Sequence, residues 1–197
     1  MSSLLLIGSQ SDPVEITQFP DDLELLRHCN VMLNSTSFML TGGEDHQIEY
    51  RSETLIYDFI SQEWTKGPKM IHDRIAHGCV KLDKVIWVTG GWDKEDRFVK
   101  STEFLELDKL NEGWKEGTEL PYSVAHHKMV ASEDMKTAYI TGGHNPYYAN
   151  EDILELICTE SSPSSCTFKL SKSNIKINRS SHVALPISNE IAEELCS

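Results

Sequence analysis

One phrase recurs three times in this chain and leaves little freedom over its fold. It reads Ser37-Phe38-Met39-Leu40-Thr41-Gly42-Gly43, then Val85-Ile86-Trp87-Val88-Thr89-Gly90-Gly91, then Ala138-Tyr139-Ile140-Thr141-Gly142-Gly143. Each copy is a run of apolar, mostly β-forming residues that stops on Thr-Gly-Gly. The first glycines of the doublets, Gly42, Gly90 and Gly142, stand 48 and 52 residues apart. A period near 50 residues marks stacked β units, each too small to bury its own apolar faces.

Around each copy the same order returns. A first strand covers 29–33, 75–80 and 125–130; the phrase supplies the second; a polar loop follows; the third covers 54–58, 102–108 and 152–156. Trp64 stands seven residues after Tyr57, and Trp114 seven after Leu107. The third unit has Pro163 at that place, which predicts a looser blade with Phe168 in the apolar role. Four-stranded units stacked radially make an all-β propeller. The units run 28–70, 71–121 and 122–175 within a propeller spanning 1–187. The terminal pieces 1–22 and 176–187 hold strands of a split fourth blade, and 188–197 form a tail. An open arc and a small closed ring both satisfy this pattern.

The order Arg-x-x-His, apolar strand, Gly-Gly, polar loop, Tyr-Asp, then Trp resembles the kelch repeat over about residues 25–185. The second unit carries Arg74, His77, Gly90, Gly91, Asp108 and Trp114; the first carries Gly42, Gly43, Tyr57, Asp58 and Trp64. The resemblance implies a partial kelch-type β-propeller. Kelch propellers usually have more blades than the three complete units here. It further implies a non-catalytic module that binds a protein partner, as an adaptor or scaffold. Neither a BTB nor an F-box domain is visible in the sequence.

The formal net charge of -13 argues against a nucleic-acid surface, which needs clustered Lys and Arg. No apolar stretch approaches the ~20 residues that span a bilayer, so no membrane partner is expected. Residues 1–8 lack the basic start of a signal peptide, which points to the cytoplasm. The sequons Asn34-Ser35-Thr36 and Asn178-Arg179-Ser180 then read as accidental. The five cysteines show no metal-type spacing, although Cys158 and Cys166 could pair in an oxidising compartment.

Enzyme signatures are lacking: there is no Gly-x-Ser-x-Gly elbow, phosphate loop or dinucleotide fingerprint. His77, His126 and His182 take the same place in successive units and read as hydrogen-bonding partners of the neighbouring blade. No cofactor and no metal is expected. The rival to binding is a small carbohydrate-active or isomerase-type propeller enzyme, which a convergent cluster of buried acids would favour. A third reading is an inert fragment of a longer kelch protein.

Loops on a rigid scaffold carry recognition. The post-glycine loops offer Glu44-Asp45-His46, Trp92-Asp93-Lys94 and His144-Asn145-Pro146-Tyr147-Tyr148. The linkers before the inner strand offer Arg74 and Arg179, with Ser123 at the matching place in the third unit. Partner-binding candidates are therefore Arg74, Trp92, Asp93, His144, Asn145, Tyr147 and Arg179. By resemblance, the arginines would grip an acidic peptide segment through bidentate hydrogen bonds.

Overall fold

The computed structural model describes residues 4–6, 14–16, 25–159, 162–174 and 184. Leu4–Leu6 (β1) pairs antiparallel with Val14–Ile16 (β2). Three antiparallel sheets of four strands follow. The first blade is Cys29–Asn34 (β3), Ser37–Thr41 (β4), Thr54–Asp58 (β5) and Glu63–Lys66 (β6). The second is Gly78–Leu82 (β7), Val85–Thr89 (β8), Thr102–Glu106 (β9) and Lys115–Glu116 (β10). The third is Lys128–Ala131 (β11), Thr137–Thr141 (β12), Asp152–Cys158 (β13) and Cys166–Asn174 (β14). The fold is an all-β partial propeller. The C-terminal strand proposed for the split blade and the tail at 188–197 lie outside the described residues.

Successive side chains of a strand point to opposite faces, so a continuous apolar run means that both faces are covered. The recurring phrase behaves this way. Phe38 and Leu40 cluster with Leu55 and Tyr57 on one face of the first blade. Met39 points the other way and packs with Ile86, Val88 and Leu105 of the second blade. Trp87 and Phe104 leave the far side of that blade and meet Ala138, Ile140, Leu154 and Leu156 of the third. Each such side chain, fully buried, contributes about 2 kcal/mol.

Two expectations change. The Arg-x-x-His runs lie before the first strands, not inside them. Ala76 and His126 have φ of 51° and 57°, and a left-handed residue ends extended pairing, so β7 and β11 begin two residues later. The third blade is also not short of pairing. Its outer strands are 7 and 9 residues long, and a Cys158–Cys166 disulfide joins them. Phe168 stands opposite Leu156, as Trp64 stands opposite Tyr57. A longer hairpin and a cystine thus make up for the missing tryptophan.

Candidate partner-binding face

The blades meet through a repeated set of contacts that also builds one end of the molecule. Arg27, Ala76 and His126 take matching places, all with φ between 51° and 57°. Ala76 N donates to Arg27 O at 2.9 Å, and His126 N donates to Ala76 O at 2.8 Å. The residue after each is a histidine. His77 Nε2 meets Thr41 Oγ1 at 2.8 Å, and His127 Nε2 meets Thr89 Oγ1 at 2.8 Å. This explains the threonine of the phrase, which ties its strand to the histidine of the next blade.

The same contacts correct the alignment of the third unit by one residue. His127, not His126, matches His77, and Val124, not Ser123, matches Arg74. His182 lies outside the described residues. Burial holds His77 well below its ordinary value of 6.5, with the Arg74 charge adding to the effect. The unfolded chain therefore binds a proton that the folded chain refuses. Stability should fall as pH drops below 6.5, and His77→Gln should flatten that part of a denaturation-against-pH curve. An unchanged slope in the variant would remove His77 from the account.

Arg74 is a correction. It is fully buried and cannot meet a partner. Nη1 donates to Gly90 O at 2.8 Å, and Nη2 donates to Glu103 Oε1 at 2.6 Å. Glu103 is equally buried and also accepts the backbone N–H groups of Ile71 and His72. The pair locks the linker between the first two blades onto the second. Arg179 lies outside the described residues.

The three post-glycine loops share one construction. Their first residues, Glu44, Trp92 and His144, each bridge a linker residue on one side and a returning residue on the other. Next comes Asp45, Asp93 or Asn145, whose side chain closes the loop. Asp93 Oδ1 accepts from Glu95 N and Arg97 N at 3.0 Å. Asn145 Oδ1 accepts from Tyr147 N at 2.8 Å and Tyr148 N at 3.1 Å. Asp45 accepts from Gln47 N, Glu49 N and the Arg51 guanidinium, which holds its carboxyl down at about 2. Carboxyl chemical shifts followed through acid should give Asp45 a midpoint near 2; a midpoint at the ordinary 3.8 would mean the Arg51 contact is not kept.

Contacts then join loop to loop. Tyr50 Oη donates to Asp96 Oδ1 at 2.5 Å, and its own ionisation is pushed up to about 12 by burial and by that carboxylate. Trp92 packs on Phe98 at 4.8 Å between ring centroids, and Phe98 meets His144 edge-on at 5.3 Å. His144 stacks on His126 at 5.2 Å and 12°. Glu44 is buried and receives two hydrogen bonds from the half-exposed Arg27. The arginines around these loops are thus occupied by nearby carboxylates: Arg27 by Glu44, Arg51 by Asp45, Arg97 by Asp93. Among the large hydrophobic side chains of these loops, Tyr147 is 90% exposed, Ile48 71% and Tyr148 55%.

Comparison with known proteins places this architecture. No family model matches the chain. Curated relatives do. Kelch-like protein 40a of Danio rerio is 26% identical over 121 residues, covering 59% of this chain and 19% of the relative. Kelch-like protein 40 of Mus musculus is 26% identical over 132 residues, covering 64% and 20%. Kelch-like protein 25 of Xenopus laevis is 35% identical over 52 residues, covering 26% and 9%. The chain is similar to kelch-repeat proteins over about 60% of its length. It spans about a fifth of the length of the first two relatives.

Of the sequence-derived candidates, the blades bring Trp92, Asp93, His144, Asn145 and Tyr147 to one end. Asp93 and Asn145 fold their loops, Trp92 and His144 sit inside the aromatic row, and Tyr147 points outward. Tyr50, Phe98 and His126 also join the face, although sequence reasoning gave the first two no role and read His126 as a hydrogen-bonding partner of the neighbouring blade. Tyr50 and Phe98 each lie six residues after the first residue of their loop, Glu44 and Trp92, and that spacing was readable. No helix among the described residues is long and apolar enough to cross a membrane.

Proposed function

We propose that this chain is a non-catalytic kelch-type binding module that seats a peptide or loop of a partner protein on the end built by its post-glycine loops. The observation that carries this reading is Tyr147, 90% exposed on a loop whose backbone Asn145 pins at two N–H groups. A large side chain displayed from a rigid loop loses little entropy on binding, and tyrosine is enriched among interface anchors. Trp92, Phe98 and His144 form an aromatic row in the same face, and the loops are tied to each other by Tyr50–Asp96 and Phe98–His144. The working unit is the three blades 28–70, 71–121 and 122–175, completed by strands from both ends of 1–187. The same reading has the protein acting as an adaptor or scaffold in the cytoplasm.

The enzyme alternative draws no support from the acids. The buried carboxylates Glu44, Asp45 and Glu103 each sit against an arginine and serve the scaffold. Arg74 is internal and so takes no part in gripping an acidic peptide. The experiment is affinity capture from cells, followed by titration of the recovered partner. Tyr147→Ala/Tyr148→Ala should weaken binding about tenfold or more at unchanged melting temperature. Equal affinity in the two proteins would end this reading of the face.

A further inference from the structure

Cys29 on β3 and Cys79 on β7 are joined by a disulfide, with Cα atoms 5.9 Å apart and a sequence separation of 50. They belong to neighbouring blades. The second junction brings the same two positions together without a cysteine. Cys29 and Gly78 match, since each stands opposite the threonine of its phrase, Thr41 or Thr89. Cys79 and Met129 match one residue further along, opposite Val88 and Ile140. A Cβ added to Gly78 would stand 2.9 Å from Met129 Cγ. Contact between these two places is therefore a property of the repeat. Only at the first of these two junctions do both carry sulfur.

That junction also has the smaller core. Met39, Met70, Cys79, Ile86, Val88, Leu105 and Trp114 are its buried apolar residues. The cluster across the second junction is larger and includes Trp87, Phe104, Leu154 and Leu156. We infer that Cys29–Cys79 is a redox-cleavable clasp that sets how firmly the first two blades, and hence their loops, are held together. Cys79 is buried and Cys29 is half-buried, so a reductant approaches from the Cys29 side. One thiolate of a dithiol attacks Cys29 Sγ, the S–S bond breaks, and Cys79 leaves as a thiolate and takes up a proton. The second thiolate of the dithiol then closes its own disulfide, and Cys29 leaves and is protonated. The cystine gains two electrons and the dithiol loses two. The noncovalent contacts Gly43–Arg74, Ala76–Arg27 and Thr41–His77 remain after cleavage. Cys158–Cys166 joins two strands of one blade, so its cleavage leaves the junctions alone.

Two measurements on the full chain test the clasp. Peptide mapping of the protein oxidised with glutathione disulfide and alkylated without reduction should recover a Cys29–Cys79 linked peptide. Free thiols at both positions, or other pairings, overturn the inference without any variant being needed. Thermal melts with and without dithiothreitol should differ by about 10 °C, the order set by a closed loop of this length in a domain of this size. The difference should largely persist in Cys158→Ser/Cys166→Ser and shrink to less than half in Cys29→Ser/Cys79→Ser, where only the shorter Cys158–Cys166 loop is left to open. A reductant effect as large in the second variant as in the parent also overturns it.

Discussion

Arg74→Leu alone is expected to cost about 3–5 kcal/mol of stability, because it strands the Glu103 carboxylate in the interior. Arg74→Leu with Glu103→Leu is expected to return to within about 2 kcal/mol of the parent. The repeat itself supplies the reason. Arg74 matches Leu25 and Val124, and Glu103 matches Leu55 and Leu154. In the first blade the pair is Leu25 with Leu55, both buried in one cluster. At the second junction it is Val124 with Leu154, again in one cluster. Only the second blade fills this place with charge, at side-chain exposures of 0% for both partners. A buried ion pair often gains little over apolar residues of similar volume, while half of one is costly. The residual cost of the double variant comes from the Ile71 and His72 N–H groups, which lose the carboxylate they now donate to. Urea denaturation of the four proteins in the cycle measures this directly. A double variant as unstable as the single one would mean that the ion pair is not exchangeable for its apolar counterparts.

Gly90→Ala is the second large effect, expected at about 3 kcal/mol. Gly90 has φ of 58°, and a Cβ there would stand 2.4 Å from the Val124 carbonyl oxygen. Left-handed backbone alone costs a non-glycine residue about 1 kcal/mol. The remainder arises because the clashing atom is backbone and cannot swing aside. It belongs to the carbonyl that accepts Gly91 N at 2.8 Å and so holds the second and third blades together. Urea denaturation of Gly90→Ala measures the loss. A loss of only about 1 kcal/mol would show that conformation, not blade contact, explains this glycine of the phrase.

Much of the fold was legible because the phrase carries two constraints at once. Continuous burial of Phe38 to Thr41 and of Ile86 to Thr89 requires sheets covered on both faces, and the glycine doublet requires a close neighbour. The strands and their period follow from those two facts. The axial register did not follow. His126-His127 offers two histidines for one place, and only the left-handed turn at His126 decides between them. Arg74 misled for a related reason. An arginine in a polar linker suggests exposure, and nothing nearby announces Glu103, 29 residues on, as its buried partner. The loops after the glycines were located correctly. Yet Asp93 and Asn145 were read as binding residues, although an Asp or Asn directly after the first loop residue in all three copies is the signal of a side chain that closes its own loop. Cys29 and Cys79 were within reach of the sequence, since their separation is one repeat plus one residue; without the register, that spacing carried no meaning.

The central claim is that one end of the propeller, built by the post-glycine loops, takes the partner. Hydrogen exchange of the full chain with and without the captured partner tests it most directly. The account predicts new protection at 44–50, 92–98 and 144–149, with the hairpin turns at 34–37, 82–85 and 131–137 unchanged. Protection at those turns, with the three loops exchanging as before, would contradict it.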